Sequence, residues 1–296
     1  MLGLRIKIVL FLFIVGMTIA GVLTLWRDYW KEIKNERQVE ETLGDPTKRT
    51  TVTPIVDLGL ARYEAVKQKI KEGEIKGARE NLYRMLKNYG ESSAAGEAKQ
   101  MLGLINLQQF YSQETIDQLD QYEIQSKDSW IKLAEKLETT TDDLKLVNEW
   151  MGEELQPGDK LKHRPLSFVI YFKHHEKKME LRQIKEGREI FFKEYILSAS
   201  QLPSGLALPL QTTIKTKTAT QGQKLIASSD LNYVVAEKII VLEIEGLALK
   251  NEARLLAQKN NAQGQQILES GFFLRREHLQ EVFALVRNGT KVLIVK

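Results

Sequence analysis

Changes of hydrophobic rhythm divide this chain into stretches of different character. From Ile8 to Trp26 the run IVLFLFIVGMTIAGVLTLW is apolar and carries no charge. As a helix rising 1.5 Å per residue it measures about 28 Å, close to the thickness of a bilayer's hydrocarbon core. Trp26, Tyr29 and Trp30 at its far end suit a membrane–water interface. A cleaved leader is the rival reading, because Thr18-Ile19-Ala20 forms a small-x-small site. The apolar run continues past that site, which favours an uncleaved anchor within residues 1–30. Residues 31–56 are polar and are broken by Gly44, Pro46 and Pro54, the composition of a linker.

Over residues 57–112 the period becomes helical. Leu58, Ala61, Ala65, Val66 and Ile70 predict one buried face. Ile75, Ala78, Leu82, Met85, Leu86 and Tyr89 predict a second, and Ala94, Ala98, Met101, Leu102 and Ile105 a third. Gly73 and Gly90 punctuate them, and no proline occurs between Pro54 and Pro157. The stretch from Gly73 to Ala78, followed by Leu82, resembles the turn and second helix of a tetratricopeptide repeat. Such repeats stand alone only when about three are stacked, so a plain helical spacer is the other reading.

Residues 120–164 compress four elements into a short span. Tyr122-Glu123-Ile124-Gln125 alternates as a half-buried strand. Asp128 and Ser129 precede the helical stripe Trp130, Leu133, Ala134 and Leu137, and an oxygen-bearing side chain there accepts an orphan backbone N–H. Thr139-Thr140-Thr141 starts a second helix, with Asp142 and Asp143 at its positive end and Leu144 and Val147 on its apolar face. Gln156-Pro157-Gly158-Asp159 reads as a turn, and Lys160–His163 closes as a strand.

In this order, Tyr122, Ile124, Asp128, Ser129, Leu133, Ala134, Thr140, Leu144, Asn148, Leu155, Pro157, Gly158 and Leu161 resemble the LysM domain, a βααβ carbohydrate-binding module. Lys127 stands where the family has glycine, and Trp130 where it has an aliphatic residue. Since glycine allows a positive φ freely, the lysine predicts an unusual path for the loop. The resemblance implies N-acetylglucosamine oligomers or peptidoglycan as partners. They would lie in a shallow groove between two loops, formed by Lys127, Asp128, Ser129 and Trp130 on one side. Asn148, Trp150, Met151, Gln156 and Pro157 form the other.

After Arg164-Pro165 the rhythm becomes that of strands. Phe168–Phe172, then Met179, Leu181 and Ile184, then Ile190, Phe191 and Tyr195 predict three strands, with a hairpin turn at Lys185-Glu186-Gly187-Arg188. Further strands are expected at Thr212–Lys217, Leu225–Ala227, Lys238–Glu243, Leu247–Leu249 and Lys291–Val295, with one helix at Arg276–Val286. Residues 165–296, and above all SGFFLRREHLQEVFALVRNGTKVLIV at their end, resemble the L,D-transpeptidases. In that family a serine-histidine-glycine-cysteine motif precedes a helix and a final strand. Here Ser270 falls in the histidine position, Gly271 in the glycine position and Phe272 in the cysteine position. The family's second histidine stretch falls on Leu249-Lys250-Asn251-Glu252.

The chain contains no cysteine, which removes thiolate chemistry and disulfides together. The resemblance therefore implies a transpeptidase-like domain without its nucleophile, and no catalytic residue is assigned. A net charge of +4 with scattered basic residues gives no nucleic-acid signature. His174-His175, among lysines and Glu176, is expected in a solvated turn without metal-ligand spacing. Ser204-Gly205 and Ser270-Gly271 lack the nucleophile elbow of α/β-hydrolases.

The expected fold is therefore an α+β multidomain chain with an N-terminal transmembrane helix, a tetratricopeptide-like segment, a LysM module and a mostly-β L,D-transpeptidase-like domain. It is expected to bind peptidoglycan from the inner membrane, with its bulk in the periplasm or cell envelope and no cofactor. Two alternatives stay open: a scaffold that meets another envelope protein through its helices, and a peptidoglycan-modifying enzyme using residues other than cysteine.

Overall fold

The computed structural model describes residues 57–149, 155–256 and 270–296. The expected anchor and linker, together with Trp150 and Met151, lie outside the described residues. Among the described residues no helix is long and apolar enough to cross a membrane.

Asp57 caps the first helix, α1 (Leu58–Lys71), by accepting the Leu60 N–H at 3.0 Å. The same carboxylate accepts from Ser92 and Ser93 at 2.8–2.9 Å, tying the helix start to a distant turn. The buried stripe of α1 is Gly59, Tyr63 and Val66, with Ile70 packed against the same core, so only Val66 and Ile70 of the expected face turn inward. Leu58 is 55% exposed, and Ala61 and Ala65 face solvent as well. The large ring of Tyr63 buries far more area than two alanine methyls, so it sets the rotation of the helix. α2 (Ile75–Asn88) and α3 (Ala95–Phe110) bury the expected Ala78, Leu82, Met85, Ala98, Leu102 and Ile105 in a common core with α1.

These helices are no extended spacer. α3 lies on strand β5 (Arg188–Ile196), where a Cβ on Gly103 would stand 2.8 Å from Lys193 Cγ. Asn106, buried on α3, donates to the Phe192 carbonyl at 2.8 Å and accepts from Arg79 at 2.6 Å.

A short helix, α4 (Gln113–Asp117), leads into strand β1 (Asp120–Glu123). Helices α5 (Trp130–Lys136) and α6 (Thr141–Val147) follow, and strand β2 (Lys160–His163) pairs antiparallel with β1, Tyr122 opposite Leu161. Ser129 and Thr140 cap the two helices by accepting from Lys132 and Asp143 N–H. Ile124, Trp130, Leu133, Ala134, Leu144 and Leu161 share one small core.

The remaining strands are β3 (Phe168–Lys173), β4 (Lys178–Lys185), β6 (Ala199–Gln201), β7 (Leu210–Gln221), β8 (Lys224–Leu225), β9 (Glu237–Leu242), β10 (Ala248–Asn251), β11 (Gly271–Leu274) and β12 (Lys291–Val295). Helices α7 (Ala253–Leu256) and α8 (Arg276–Leu285) accompany them. The strand order is β5-β4-β3-β12-β7-β9-β10-β11-β6, with β8 on β7. Two pairings are parallel, β12 with β3 and β11 with β10; the others are antiparallel.

β7 binds β12 through residues 210–213 and β9 through residues 214–220. It thus passes from one half of the sheet to the other, across a register irregularity between Ile214 and Thr216. The β4–β5 hairpin turns through Glu186 (φ 51°) and Gly187 (φ 73°), the pair of positive angles that matches the twist of the flanking strands.

Arg164 fastens these pieces together. Its guanidinium bonds both carboxylate oxygens of Asp143 on α6, at 2.7 and 3.2 Å. It also donates to the Phe110 carbonyl at the end of α3 at 2.5 Å and lies 3.4 Å from the Phe110 ring centroid. Asp143 is 0% exposed and Arg164 7%. Around this ion pair, Thr140 donates to the Ala284 carbonyl on α8, Tyr233 donates to Asp142, and Lys145 donates to the Ser228 carbonyl. The βααβ module is thereby seated on the β domain along α6.

Candidate functional site

Of the two loops expected to form a groove in the βααβ module, the described parts, residues 125–129 and 156–159, lie side by side. Ile124 donates to the Asp159 carbonyl at 2.9 Å and accepts from the Gly158 N–H at 2.8 Å, which pins the second loop to the end of the first strand. Lys127 has φ 74°, so it adopts the left-handed conformation that glycine takes without strain. The expected detour of the loop does not occur. Asp128 closes the turn: its carboxylate accepts from Gln125 N–H at 2.8 Å and from the Tyr122 hydroxyl at 3.1 Å. Lys136 in turn donates to that hydroxyl at 2.9 Å.

Lys127, Ser129, Gln156 and Pro157 are exposed at this end of the module. Trp130 is not: it is 6% exposed and belongs to the small core. Asn148 is committed as well. Its amide donates to the carbonyls of Leu144 and Lys162 and its oxygen accepts from Lys162 N–H, all at 2.8 Å, so it ties the end of α6 to β2. Ile131, which the spacing did not single out, is 68% exposed in the first turn of α5 and presents a large apolar surface beside the first loop. A separate groove of 240 Å³ lies against β2, lined by Gln113, Ile116, Gln121, Val147, Asn148, Glu149, Lys160 and Lys162.

In the β domain the structure joins the two stretches that carry the transpeptidase resemblance. Leu249, Lys250 and Asn251 on β10 run parallel to Phe272, Phe273 and Leu274 on β11, in that register. The geometry between them is that of a core. Phe272 is 0% exposed and stacks on Phe172, with ring centroids 3.6 Å apart and planes at 1°. A Cβ on Gly271 would stand 2.6 Å from the Ala248 carbonyl oxygen, so the strands close up only with glycine there. Lys250 donates to the Ser270 carbonyl at 2.9 Å.

Neither the protein-family models nor the curated proteins contain a match to this chain. Solved structures do align with parts of it. A fused Zn-dependent amidase/peptidase/peptidoglycan-binding domain-containing protein of Clostridium acetobutylicum aligns at 9% identity and TM-score 0.29, over 43% of this chain and 51% of that one. An L,D-transpeptidase of Mycobacterium smegmatis aligns at 9% identity and TM-score 0.29, over 47% of this chain and 64% of its own. An L,D-transpeptidase of Stackebrandtia nassauensis aligns at 11% identity and TM-score 0.28, over 66% of each chain. The chain thus spans about half the length of the first of these and just under two thirds of the second.

His174 and His175 lie in the expected turn between β3 and β4, but His174 also reaches a partner on β6. It is half-buried, and its Nδ1 lies 2.6 Å from Ser200 Oγ on β6, while its backbone N–H donates to the Val295 carbonyl at 3.0 Å. His175 beside it is exposed. Nothing in the sequence flags Ser200, because its partner comes from across the sheet. Among the described residues no cluster of histidine and carboxylate side chains is arranged to hold a metal ion.

Proposed function

We propose that this chain is a peptidoglycan-binding protein of the bacterial envelope, anchored to the inner membrane by Ile8–Trp26. Its βααβ module acts as a LysM domain for N-acetylglucosamine-containing glycan, and its β domain is a transpeptidase-like fold without thiolate chemistry. One observation carries the glycan reading: the spaced motif positions converge in one βααβ unit with a shared core, leaving Lys127, Ser129, Gln156 and Pro157 exposed at one end. Exposed Lys127, Ser129 and Gln156 supply polar contacts to hydroxyl and N-acetyl groups. Ile131 offers the apolar surface that buried Trp130 does not. The loss of thiolate chemistry rests on the absence of cysteine from the whole sequence and on Phe272 filling the core where the family motif has its nucleophile.

A single shallow site of this kind binds weakly, on the order of micromolar to millimolar, and tethering raises its effective concentration. The test is co-sedimentation of the full-length chain with purified peptidoglycan, followed by titration with chito-oligosaccharides. Binding that falls roughly tenfold in Ile131→Asp with Gln156→Ala, a loss of about 1.4 kcal/mol, supports the reading. A folded full-length chain that sediments with neither glycan removes it. Retention in membranes after alkaline washing tests the anchor separately.

A further inference from the structure

The strand order ends at β6, and among the described residues no strand covers its outer side. An edge without a neighbouring strand leaves backbone N–H and C=O groups with which an extended peptide can pair as an added strand, and Ala199, Ser200 and Gln201 are half-buried there. Ser200 lies on this edge strand, opposite Phe272 of β11 in register. Its hydroxyl is 2.6 Å from Nδ1 of His174, a histidine held in place by its backbone bond to Val295. A hydroxyl within hydrogen-bond reach of an imidazole nitrogen is the pairing that activates a serine nucleophile. Burial, and then the neighbouring His175, hold the His174 imidazole below its ordinary pKa. A neutral ring in its Nε2–H tautomer would offer the Nδ1 lone pair to the serine.

We propose that Ser200 and His174 form a serine–histidine acyl-transfer site whose acyl donor is an extended peptide laid along the β6 edge. Ser200 Oγ bonds to the peptide carbonyl carbon while its proton passes to His174 Nδ1. The tetrahedral adduct collapses with cleavage of the C–N bond, and the departing amine takes that proton. Water, deprotonated by the same nitrogen, then releases the acid and restores the serine. The site uses residues separate from the glycan loops, so neither reading depends on the other.

The test is covalent labelling of the full-length chain, purified in detergent, with a fluorophosphonate probe. Attack by Ser200 Oγ forms the O–P bond and expels fluoride, with the proton again going to His174. The expected result is one adduct, mapped to Ser200 by peptide mass spectrometry. It is absent in Ser200→Ala, slowed at least 50-fold in His174→Gln and unchanged in Ser198→Ala. Because the chain has no cysteine, a second measurement reads the same pair without relying on His174 variants. The thiol of Ser200→Cys should react with iodoacetamide at pH 7 at least tenfold faster than that of Ser198→Cys. An unlabelled Ser200, an adduct elsewhere, full-rate labelling of folded His174→Gln, or equal alkylation of the two cysteine variants would each overturn the proposal.

Discussion

The βααβ module and the β10–β11 region of the β domain each turn on one residue, Lys127 in the first and Phe272 in the second, and the two have opposite structural outcomes. In the module, Lys127 holds a φ of 74°, the left-handed region that glycine adopts without strain. The capping serine, the Asp128 turn and the Ile124 hydrogen bonds over-determine the loop, so a strained residue is carried by its neighbours. In the β domain, Phe272 is buried and stacks on Phe172. A conformational preference is overridden at modest cost when neighbouring hydrogen bonds hold the backbone, whereas a stacked, fully buried ring fixes its strand by packing. The first region is set by hydrogen bonds around a strained residue, the second by close packing.

The largest expected effect breaks the seam between the two. Arg164→Ala leaves Asp143, 0% exposed, as an unpaired buried charge. It should lower stability by about 3–5 kcal/mol and the thermal midpoint by roughly 10 °C. If module and β domain were merely tethered, calorimetry would show a change under ~1 kcal/mol and two separate transitions.

Phe272→Cys removes most of a buried ring and should cost about 2–4 kcal/mol. Its thiol, enclosed by the core, should stay unreactive toward a disulfide reagent until the chain unfolds. Rapid native-state reaction would mean that the position still faces a site.

A smaller effect belongs to two lysines behind the seam. Burial lowers Lys217 to about 8, against the attraction of Asp142. Burial likewise lowers Lys238 to about 8, with Lys217 and Lys145 adding to the shift against the pull of Asp142. Both fall below the 10.5 of a free lysine, so between these values the unfolded chain binds more protons than the folded one. Stability therefore rises with pH across that window. Melting temperatures should increase by a few degrees from pH 7.5 to 9.5, and Lys217→Met should flatten the rise.

Last and smallest, Lys127→Gly should stabilise the chain by up to about 1 kcal/mol, because a left-handed L-residue is strained by roughly 1–2 kcal/mol and glycine returns part of that as chain entropy. A lower urea midpoint in that variant would show that the lysine side chain itself holds the loop.

Short-range features were legible from residue order. Helix periods, the Ser129 and Thr140 caps, the Glu186-Gly187 turn and most strands of the β domain follow from interactions within a few positions. The faces of α2 and α3 came out as the apolar spacing implies, whereas α1 kept only Val66 and Ile70 of its expected face, since one tyrosine outweighed two alanines. β6 and β11 were missed. The first is three residues long, and the second, Gly-Phe-Phe-Leu, is buried on both faces and has no alternation to read.

The candidate site was less legible for the same reason. Trp130 and Asn148 suit a carbohydrate groove by type, and their burial and hydrogen bonding depend on Leu161 and Lys162 on the far strand. Residue order alone thus determined the local elements and the absence of thiol chemistry. Tertiary structure alone decided that Phe272 fills a core, that Arg164 joins three parts of the chain, and that Ser200 meets His174 from a strand 26 residues away. Such meetings are set by strand register and packing between distant segments, whose free energy has no local signature in the sequence.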